Sequence, residues 1–503
     1  MPTAEENLQR LKYLLGEVED LNYATSLAGW DQQTYMPPGG AEERGYMLGT
    51  LQRLAHEAFI SPEIGRLLED LAPHANQLDP DSDEAALVRV TRRLYDKQVK
   101  VPTEWVEEFA RITSDAYLVW VNSRASQSYA SFEPSLKRIV ELRRQYAQIF
   151  TPYEHIYDPL LDDFEPGLKT ADVKAIFDEL RPKQVALIQA IAGRPPIDDA
   201  FTRQALDEKK QWDFGVDVIT RFGYDWNRGR QDLTTHPFTT SFGINDVRIT
   251  TRFEKDQSLT PLMSTMHECG HALYDQGYAK TFMRTPLATG ASLAIHESQS
   301  RLWENLVGRS RPFWEFFLPR FQKVFPAEMG NIDLESFYRG INKVEPSFIR
   351  TDADEATYNL HIMLRLELEI ELLQGTLDTR DLADAWRDRM REYLSLEPPN
   401  DALGVLQDVH WSGGMIGYFP TYALGNLVSV QFWEKINQDI PNLEAQIRQG
   451  EFSQLLDWLR THVHIHGAKY EPQQLVQKVT GSKITPEPYL RYLNQKYGEI
   501  YGL

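Results

Sequence analysis

Cysteine is almost absent from this sequence, with Cys269 the only one among 503 residues. A single cysteine cannot form a disulfide within the chain, which favours a cytoplasmic protein, because thiols stay reduced there. Long apolar runs are absent too, since no stretch reaches the roughly 18 residues that a transmembrane helix requires. The charged N-terminal segment lacks the apolar centre of a signal peptide. We therefore expect a cytoplasmic protein that does not enter a membrane.

Positive charge is also scarce, because 53 Lys and Arg residues face 73 Asp and Glu residues, for a net charge of −20. No concentrated basic tract interrupts this acidity. Nucleic acid and anionic membrane surfaces would be repelled, so we expect neither as a partner. A hydrophobic content of 42% provides for a sizeable core. Length and composition alone do not decide between one domain and several.

Apolar residues recur every three or four positions over most of the chain, which predicts a mainly α-helical fold. Pro102 and Gly223 are predicted to end helices. The one clear β pattern is HPFTTSFGINDVRITTRF at 236–253, where a turn-forming cluster at 243–246 predicts a hairpin. Such a hairpin could accept a peptide as an added strand or be a purely structural ladder, and the pattern leaves both open.

The segment MSTMHECGHALYDQG at 263–277 contains H-E-x-x-H. On a helix, residues four apart differ by about 40° around the axis, so His267 and His271 can bind one metal ion from the same face. The neighbouring Glu268 is placed to take a proton from water activated by that metal. We expect Thr260 to cap this helix and Gly277 to stop it. Cys269 should face away from the ion as a small buried spacer.

A catalytic zinc site needs a third protein ligand and one open position. The extended pattern with a third histidine fails, because Tyr274 and Gly277 stand at its required positions. A second predicted helix at 291–304, capped near Ser292, offers Glu297 and Glu304, of which we favour Glu297. His296 would point about 100° away from Glu297 and is not expected to share the ion.

Two other clusters invite a metal interpretation. The carboxylate-rich loop at 157–167 could recruit a second cation, although a solvated corner is favoured. Three histidines, His462, His464 and His466, would share a face only on a strand. Their surroundings look helical, so ordinary surface or packed histidines are favoured over a second metal site.

The two metal motifs together, H-E-C-G-H at 267–271 and H-E-S-Q-S at 296–300, resemble the metallocarboxypeptidases of the carboxypeptidase Taq family. The resemblance runs from about residue 30 to the C-terminus. The family's other signatures recur in the same order: H-P-F at 236–238, D-V-R-I-T at 246–250, I-R-T-D-A-D at 349–354 and G-V-L-Q-D-V-H-W at 404–411.

This resemblance implies an architecture and an activity. The chain would form one mainly helical domain over 1–503, with residues to about 150 as a helical lid and about 151–503 as the catalytic body beside a deep groove. It would be a homodimer binding one zinc ion per chain, with cobalt as an alternative. Its activity would be the release of C-terminal amino acids from peptides with broad specificity, with Glu268 as general base.

An enzyme of this kind must hold a free carboxylate, which a guanidinium fork matches best. The family pattern favours Arg350 for this role, with Arg248 second and Asp246 and His236 as further substrate contacts. From the sequence alone, Arg350 would instead pair with an acid of its own segment, Asp352 or Asp354.

The G-V-L-Q-D-V-H-W segment and the residues after it supply candidates for the remaining roles. His410 and Tyr418 fit as donors to the oxyanion. Asp408 fits as an outer carboxylate that orients a ligating histidine.

Two alternative functions remain open. A zinc oligopeptidase or dipeptidyl carboxypeptidase would use the same ligands without a carboxylate clamp next to the last peptide bond. A noncatalytic peptide-binding protein is disfavoured by Glu268, which binding alone does not require.

Overall fold

A computed structural model describes residues 2–503 and contains twenty-one α-helices and three strands over those residues. Nine helices precede the sheet. They are α1 (Ala4–Thr34), α2 (Ala41–Phe59), α3 (Pro62–Ala75), α4 (Asp83–Lys100), α5 (Thr103–Ala125), α6 (Glu133–Ile149), α7 (Asp158–Leu161), α8 (Thr170–Ala192) and α9 (Glu208–Phe222).

Twelve helices follow the sheet. They are α10 (Thr260–Asp275), α11 (Leu293–Arg301), α12 (Arg311–Val324), α13 (Pro326–Met329), α14 (Leu334–Ile341), α15 (Tyr358–Gln374), α16 (Leu382–Leu394), α17 (Pro420–Asp439), α18 (Leu443–Ile447), α19 (Ser453–His462), α20 (Pro472–Thr480) and α21 (Glu487–Tyr501). A π-helical segment, Leu302–Val307, continues α11. Among residues 2–503, no helix is both long and apolar enough to cross a bilayer.

Several helix ends follow local chemistry. Pro102 lies between α4 and α5, as predicted, because proline lacks the N–H that would continue a helix. Gly223 ends α9 with a φ of 102°, a left-handed conformation that costs glycine little. Both sequence predictions are confirmed, as is the mainly α-helical class of the fold.

The sheet has the order β1-β3-β2, with β1 at Gly229–Leu233, β2 at Thr239–Ser241 and β3 at Val247–Thr251. β2 and β3 form the predicted antiparallel hairpin, with Thr240 opposite Arg248. β1 runs parallel to β3 and was not predicted. Its sequence, GRQDL, lacks the alternating β-branched and aromatic residues that indicate a strand.

The core is divided into two apolar clusters. The smaller joins α1, α3 and α4 to Phe282 and Leu287, while the larger contains α5, α6 and the elements after them. Residues to about 100 thus share an apolar core that is distinct from the one around the sheet and α10.

The acidic loop at 157–167 is not the solvated corner that we expected, because its carboxylates are bound by the protein. The buried Asp158 accepts hydrogen bonds from the backbone N–H and the hydroxyl of Thr170, at 2.8 and 2.6 Å. Asp162 pairs with Lys97 at 2.8 Å. Glu165 is fully buried and accepts a hydrogen bond from the backbone N–H of Ala294 at 2.6 Å, at the start of α11. Among residues 2–503, the cluster of side chains that could hold a metal ion is His267, His271 and Glu297, and none of them belongs to this loop.

The three C-terminal histidines differ in burial: His462 is exposed, His464 is buried and His466 is half-buried. His462 stacks on Trp458 with 4.5 Å between ring centroids. His464 is buried, and its Nε2 lies 2.9 Å from Oε1 of Gln299. They line no common face, because α19 ends at His462 and a 3₁₀ helix begins at His464.

Candidate active site

The helix that carries H-E-x-x-H begins and ends differently from our prediction. Leu259 occupies the capping position, and the Thr260 hydroxyl donates to the Gln257 side chain at 2.7 Å instead of capping the helix. Gly277 does not adopt a left-handed conformation. It lies against His464, whose side chain would be 2.6 Å from an added Cβ, so its role is close packing. Cys269 is buried, as expected of a spacer.

Three predicted metal ligands converge between α10 and α11. Nε2 of His267 and Nε2 of His271 lie 3.6 and 3.4 Å from Oε2 of Glu297, and the donor atoms of this trio lie within 4.8 Å of one another. Ligands held about 2.0–2.1 Å from a tetrahedral zinc ion are themselves about 3.3 Å apart. The two nitrogens and one oxygen therefore fit a metal of this type.

The electrostatics of His271 and Glu297 also suit a cation. Burial lowers the pKa of His271 to about 4, so its ring is neutral and its lone pair available at neutral pH. Burial would raise the pKa of Glu297, but the Arg301 guanidinium and the two imidazoles hold it well below its ordinary value. Arg301 donates to Oε1 of Glu297 at 2.7 Å, which leaves Oε2 for the metal.

Glu304, the alternative third ligand, has a different place. Its Oε2 lies 2.9 Å from Nδ1 of His267, the ring nitrogen that faces away from the trio. It reaches that position from the π-helical segment after α11. A carboxylate on the outer nitrogen fixes the tautomer and orientation of a ligating histidine.

Glu268 is buried beside the trio and contacts the sheet. The Thr239 hydroxyl of β2 donates to Oε2 of Glu268 at 2.7 Å. Burial raises the pKa of Glu268, although the neighbouring His267 and the Thr239 bond oppose the shift. A carboxylate with a raised pKa is a more effective proton acceptor. Sequence reasoning missed Thr239, which directly follows the H-P-F motif.

Arg350 is buried, and its partner is neither Asp352 nor Asp354. Its guanidinium donates to Oδ1 of Asp408 at 2.9 and 3.1 Å and to the Tyr358 hydroxyl at 2.7 Å. Asp408 binds Arg365 as well, at 2.8 Å. The prediction that Asp408 orients a ligating histidine is therefore wrong, because this carboxylate is held between two guanidinium groups.

His410 and Tyr418 lie beside this cluster, with 5.2 Å between their ring centroids. Burial lowers the pKa of His410 to about 4, which keeps the ring neutral. Burial also raises the pKa of Tyr418, and the negative charge of Glu297 adds to the shift. Tyr418 is thus a protonated hydroxyl close enough to the metal ligands to experience their charge.

The remaining candidates lie at the hairpin. Arg248 pairs with Asp246 through two hydrogen bonds of 2.8 Å. Its guanidinium lies 4.4 Å from the ring centroid of Trp30, which connects the hairpin to α1. His236 is exposed in the loop before β2.

Two glycines let three helices approach closely around Glu297. A Cβ on Gly270 would lie 2.6 Å from backbone atoms of Gln299 and Ser300 in α11. A Cβ on Gly425 of α17 would lie 2.7 Å from both Cβ and Cγ of Glu297. Gly270 stands inside the H-E-x-x-H motif, but neither glycine has a sequence signal that reveals which atoms it faces.

We therefore expect Gly425→Ala to displace Glu297. The variant should weaken metal binding about tenfold or more, the size of effect seen when the surroundings of a ligand are disturbed. It should also lower the free energy of unfolding by about 1–3 kcal/mol, because overpacking strains a core. Chelator competition and denaturant titration measure the two quantities.

Gly498→Ala is the matched control. Gly498 lies in α21, and an added Cβ there would meet no atom within 4 Å. It should leave metal affinity unchanged and raise stability slightly, since alanine favours a helix. Unaltered metal affinity in Gly425→Ala would show that Glu297 is not positioned by this contact.

Comparison with known proteins identifies relatives over nearly the whole chain. A family model described as Carboxypeptidase Taq (M32) metallopeptidase matches residues 10–497. Thermostable carboxypeptidase 1 of Thermus thermophilus is 41% identical over 99% of this chain and 100% of its own length. Carboxypeptidase 1 of Bacillus subtilis is 35% identical, over 97% of this chain and 98% of its own.

Solved structures give the same result. An M32 carboxypeptidase from Deinococcus radiodurans superimposes with a TM-score of 0.96 and 40% identity, covering 99% of this chain and all of that chain. A carboxypeptidase from Pyrococcus furiosus superimposes with a TM-score of 0.95 and 37% identity, covering 98% and 99%. Since the likeness in sequence and fold extends over nearly the whole chain, this protein belongs to the Carboxypeptidase Taq (M32) metallopeptidase family and is a metal-dependent carboxypeptidase.

Proposed function

We propose that this enzyme removes single amino acids from the C-termini of peptides and accepts a broad range of side chains. The observation that carries this proposal is that a short series of contacts connects the buried guanidinium of Arg350 with Glu297, one of the metal ligands. Tyr358 accepts a hydrogen bond from Arg350 and lies 4.6 Å beneath the guanidinium of Arg301, which in turn holds Glu297. A peptide whose terminal carboxylate meets Arg350 would place its last peptide bond near the trio.

We propose zinc as the metal, with cobalt as an alternative and one ion per chain. Two neutral imidazoles and one carboxylate form the ligand set of many catalytic zinc sites. Such an ion, when bound, lowers the pKa of water and polarises the scissile carbonyl as a Lewis acid. His267, His271 and Glu297 are the proposed ligands.

Glu268 is the proposed general base. It accepts the proton of the attacking water and later delivers it to the departing amine. The Thr239 hydroxyl restrains its carboxylate, and burial makes the protonated form accessible during turnover.

His410 and Tyr418 are the proposed donors to the oxyanion. The low pKa of His410 leaves a neutral ring with one N–H, and the high pKa of Tyr418 preserves its hydroxyl proton. Donors aimed at developing negative charge in a buried site stabilise the transition state strongly.

Substrate binding is proposed to extend from Arg350 toward the hairpin. Arg350 holds the terminal carboxylate, while Asp408 and Tyr358 keep the guanidinium in place. Arg248, Asp246 and His236 would contact residues farther from the C-terminus. Trp30 would bring α1 close to these substrate contacts through its own contact with Arg248.

Comparing a blocked N-acyl dipeptide with its C-terminal amide tests this proposal. The free acid should be hydrolysed far faster, because only it offers a carboxylate to Arg350. Equal rates for acid and amide would reject an exopeptidase that requires a free C-terminus and would favour an oligopeptidase. Release of dipeptides from longer substrates would favour a dipeptidyl carboxypeptidase.

The lid, the oligomeric state and the cellular location are proposed from other observations. The N-terminal helices, to about residue 150, would act as a lid; the distinct apolar cluster of α1, α3 and α4 supports this for residues to about 100, whereas α5 and α6 belong to the larger cluster. A homodimer and a cytoplasmic location are proposed from the family resemblance and from the single, buried thiol of Cys269.

A further inference from the structure

His271 is connected to a buried carboxylate through a second histidine. Nδ1 of His271 lies 2.6 Å from Nδ1 of His296, and Nε2 of His296 lies 2.9 Å from Oδ1 of Asp275. The Tyr278 hydroxyl donates to the same Asp275 oxygen at 2.6 Å. Asp275 and His296 therefore form a chain of hydrogen bonds that ends on a metal ligand.

The proposed ligation fixes the direction of these bonds. Nε2 of His271 faces Oε2 of Glu297 at 3.4 Å, so this nitrogen must present its lone pair to the metal and the ring hydrogen lies on Nδ1. That hydrogen is donated to Nδ1 of His296. The hydrogen of the His296 ring then lies on Nε2 and is donated to Asp275. Each nitrogen in the chain has one role, and a single tautomer of each ring satisfies all of them.

The packing leaves His296 little freedom to rotate. The Tyr274 ring lies 5.3 Å from the His296 ring, centroid to centroid. On another side, an added Cβ at Gly290 would lie 3.1 Å from Cδ2 of His296, so the backbone there is close to the ring. Asp275 and His271 lie one turn apart on α10, while His296 comes from α11. The chain therefore joins the two helices that supply the ligands.

The two ligating histidines are supported in different ways. His267 receives the carboxylate of Glu304 directly, at 2.9 Å. His271 is connected to the carboxylate of Asp275 only indirectly, through the His296 ring that lies between them. His296 was rejected from the sequence as a ligand because it points away from Glu297, and that same direction brings it to the outer nitrogen of His271.

We propose that His296 and Asp275 are a pair of positioning residues that holds the His271 ring in the orientation and tautomer that metal binding requires. This inference rests on the ligand set of the proposed function. It assigns neither residue a contact with the metal or the substrate.

The test is metal affinity, measured by chelator competition on His296→Gln, Asp275→Asn and the double variant. His296→Gln should raise the dissociation constant for zinc about ten- to a hundredfold, as loss of an outer hydrogen-bond partner does. Asp275→Asn should raise it less, because the amide oxygen still accepts a hydrogen bond. The double variant should bind no more weakly than His296→Gln, since Asp275 acts only through His296. Additive losses, or affinities within about twofold of the unaltered protein, would overturn the proposal.

Controls separate this chain from general damage. His466→Gln alters a half-buried histidine whose ring lies 5.3 Å from that of Tyr470 and should leave affinity unchanged. The visible spectrum of the cobalt-loaded protein should shift in His296→Gln and not in His466→Gln, because it reports the geometry of the ligands. An unshifted spectrum in His296→Gln would count against a positioning role.

Failure of this inference can be told from failure of the proposed function. If His271→Ala retains full metal affinity, the proposed ligand set is wrong, and both the proposed function and this inference are rejected. If the His296 and Asp275 variants lose affinity as expected while the unaltered protein does not distinguish acid from amide substrates, the positioning pair stands and the exopeptidase proposal falls.

Discussion

Glu268→Gln should reduce kcat by about a hundred- to ten-thousandfold, the range that a general base contributes. Glutamine has the shape of glutamate and can still accept a hydrogen bond from the Thr239 hydroxyl, but its amide cannot take a proton from water. The three metal ligands are unaltered, so zinc should bind with ordinary affinity. Steady-state kinetics on a blocked dipeptide, together with a metal titration, measure both expectations.

Thr239→Val provides a matched control for this prediction. It removes the 2.7 Å hydrogen bond to Glu268 but keeps the carboxylate. We expect a smaller loss of kcat than in Glu268→Gln, because the base is present but less restrained. If Glu268→Gln retains more than about a tenth of the activity, another group takes the proton and the assigned role of Glu268 is wrong.

Arg350→Gln should abolish the preference for a free C-terminal carboxylate. Truncating one partner of a buried, hydrogen-bonded charge pair costs roughly 2–5 kcal/mol, so kcat/KM for acid substrates should fall about thirty- to four-thousandfold. Hydrolysis of the corresponding amides should change much less, because they do not use the guanidinium charge. The ratio of the two values of kcat/KM is the quantity to measure.

This variant will also lose stability, and that effect has to be separated. Arg350 pairs with Asp408, and breaking a buried ion pair from one side costs about 3–5 kcal/mol. Arg365→Gln removes the other guanidinium that holds Asp408 and should cost a similar amount. It should nevertheless keep the preference for free acids. A preserved acid-to-amide ratio in Arg350→Gln would exclude Arg350 as the carboxylate clamp.

The two histidines of the metal trio could be predicted because their geometry is local. A spacing of four on a helix places His267 and His271 together whatever surrounds them. The helix of Glu297 has a recognisable start, since Ser292 accepts a hydrogen bond from the backbone N–H of Ile295. The chemistry of zinc requires a third ligand. Only the folded structure shows from which direction α11 brings that ligand to the two histidines.

The contacts around the trio could not be predicted, because they join residues that are distant in the sequence. Asp408 meets Arg350 across 58 positions, whereas sequence proximity had suggested Asp352 or Asp354. Thr239 reaches Glu268 across 29 positions. Hydrogen bonds of this kind depend on how elements pack, and nothing in the local pattern of either partner reveals the other.

The close packing around individual glycines could not be predicted from the sequence either. Gly425 carries no chemistry of its own, and only the packing of α17 against α11 shows that a side chain there would meet Glu297. The acidic loop at 157–167 was misjudged for a related reason. Its composition indicates exposure to water, but Asp158 and Glu165 are buried and accept hydrogen bonds from backbone N–H groups at the starts of α8 and α11.

Locating the metal by anomalous scattering in crystals of the zinc-loaded protein would test the assigned ligand set without any intermediate step. We predict one ion per chain, about 2.0–2.2 Å from Nε2 of His267, Nε2 of His271 and Oε2 of Glu297, with one position left for solvent or substrate. An ion bound instead by Glu304 or His296, or found away from the space between α10 and α11, would contradict this assignment.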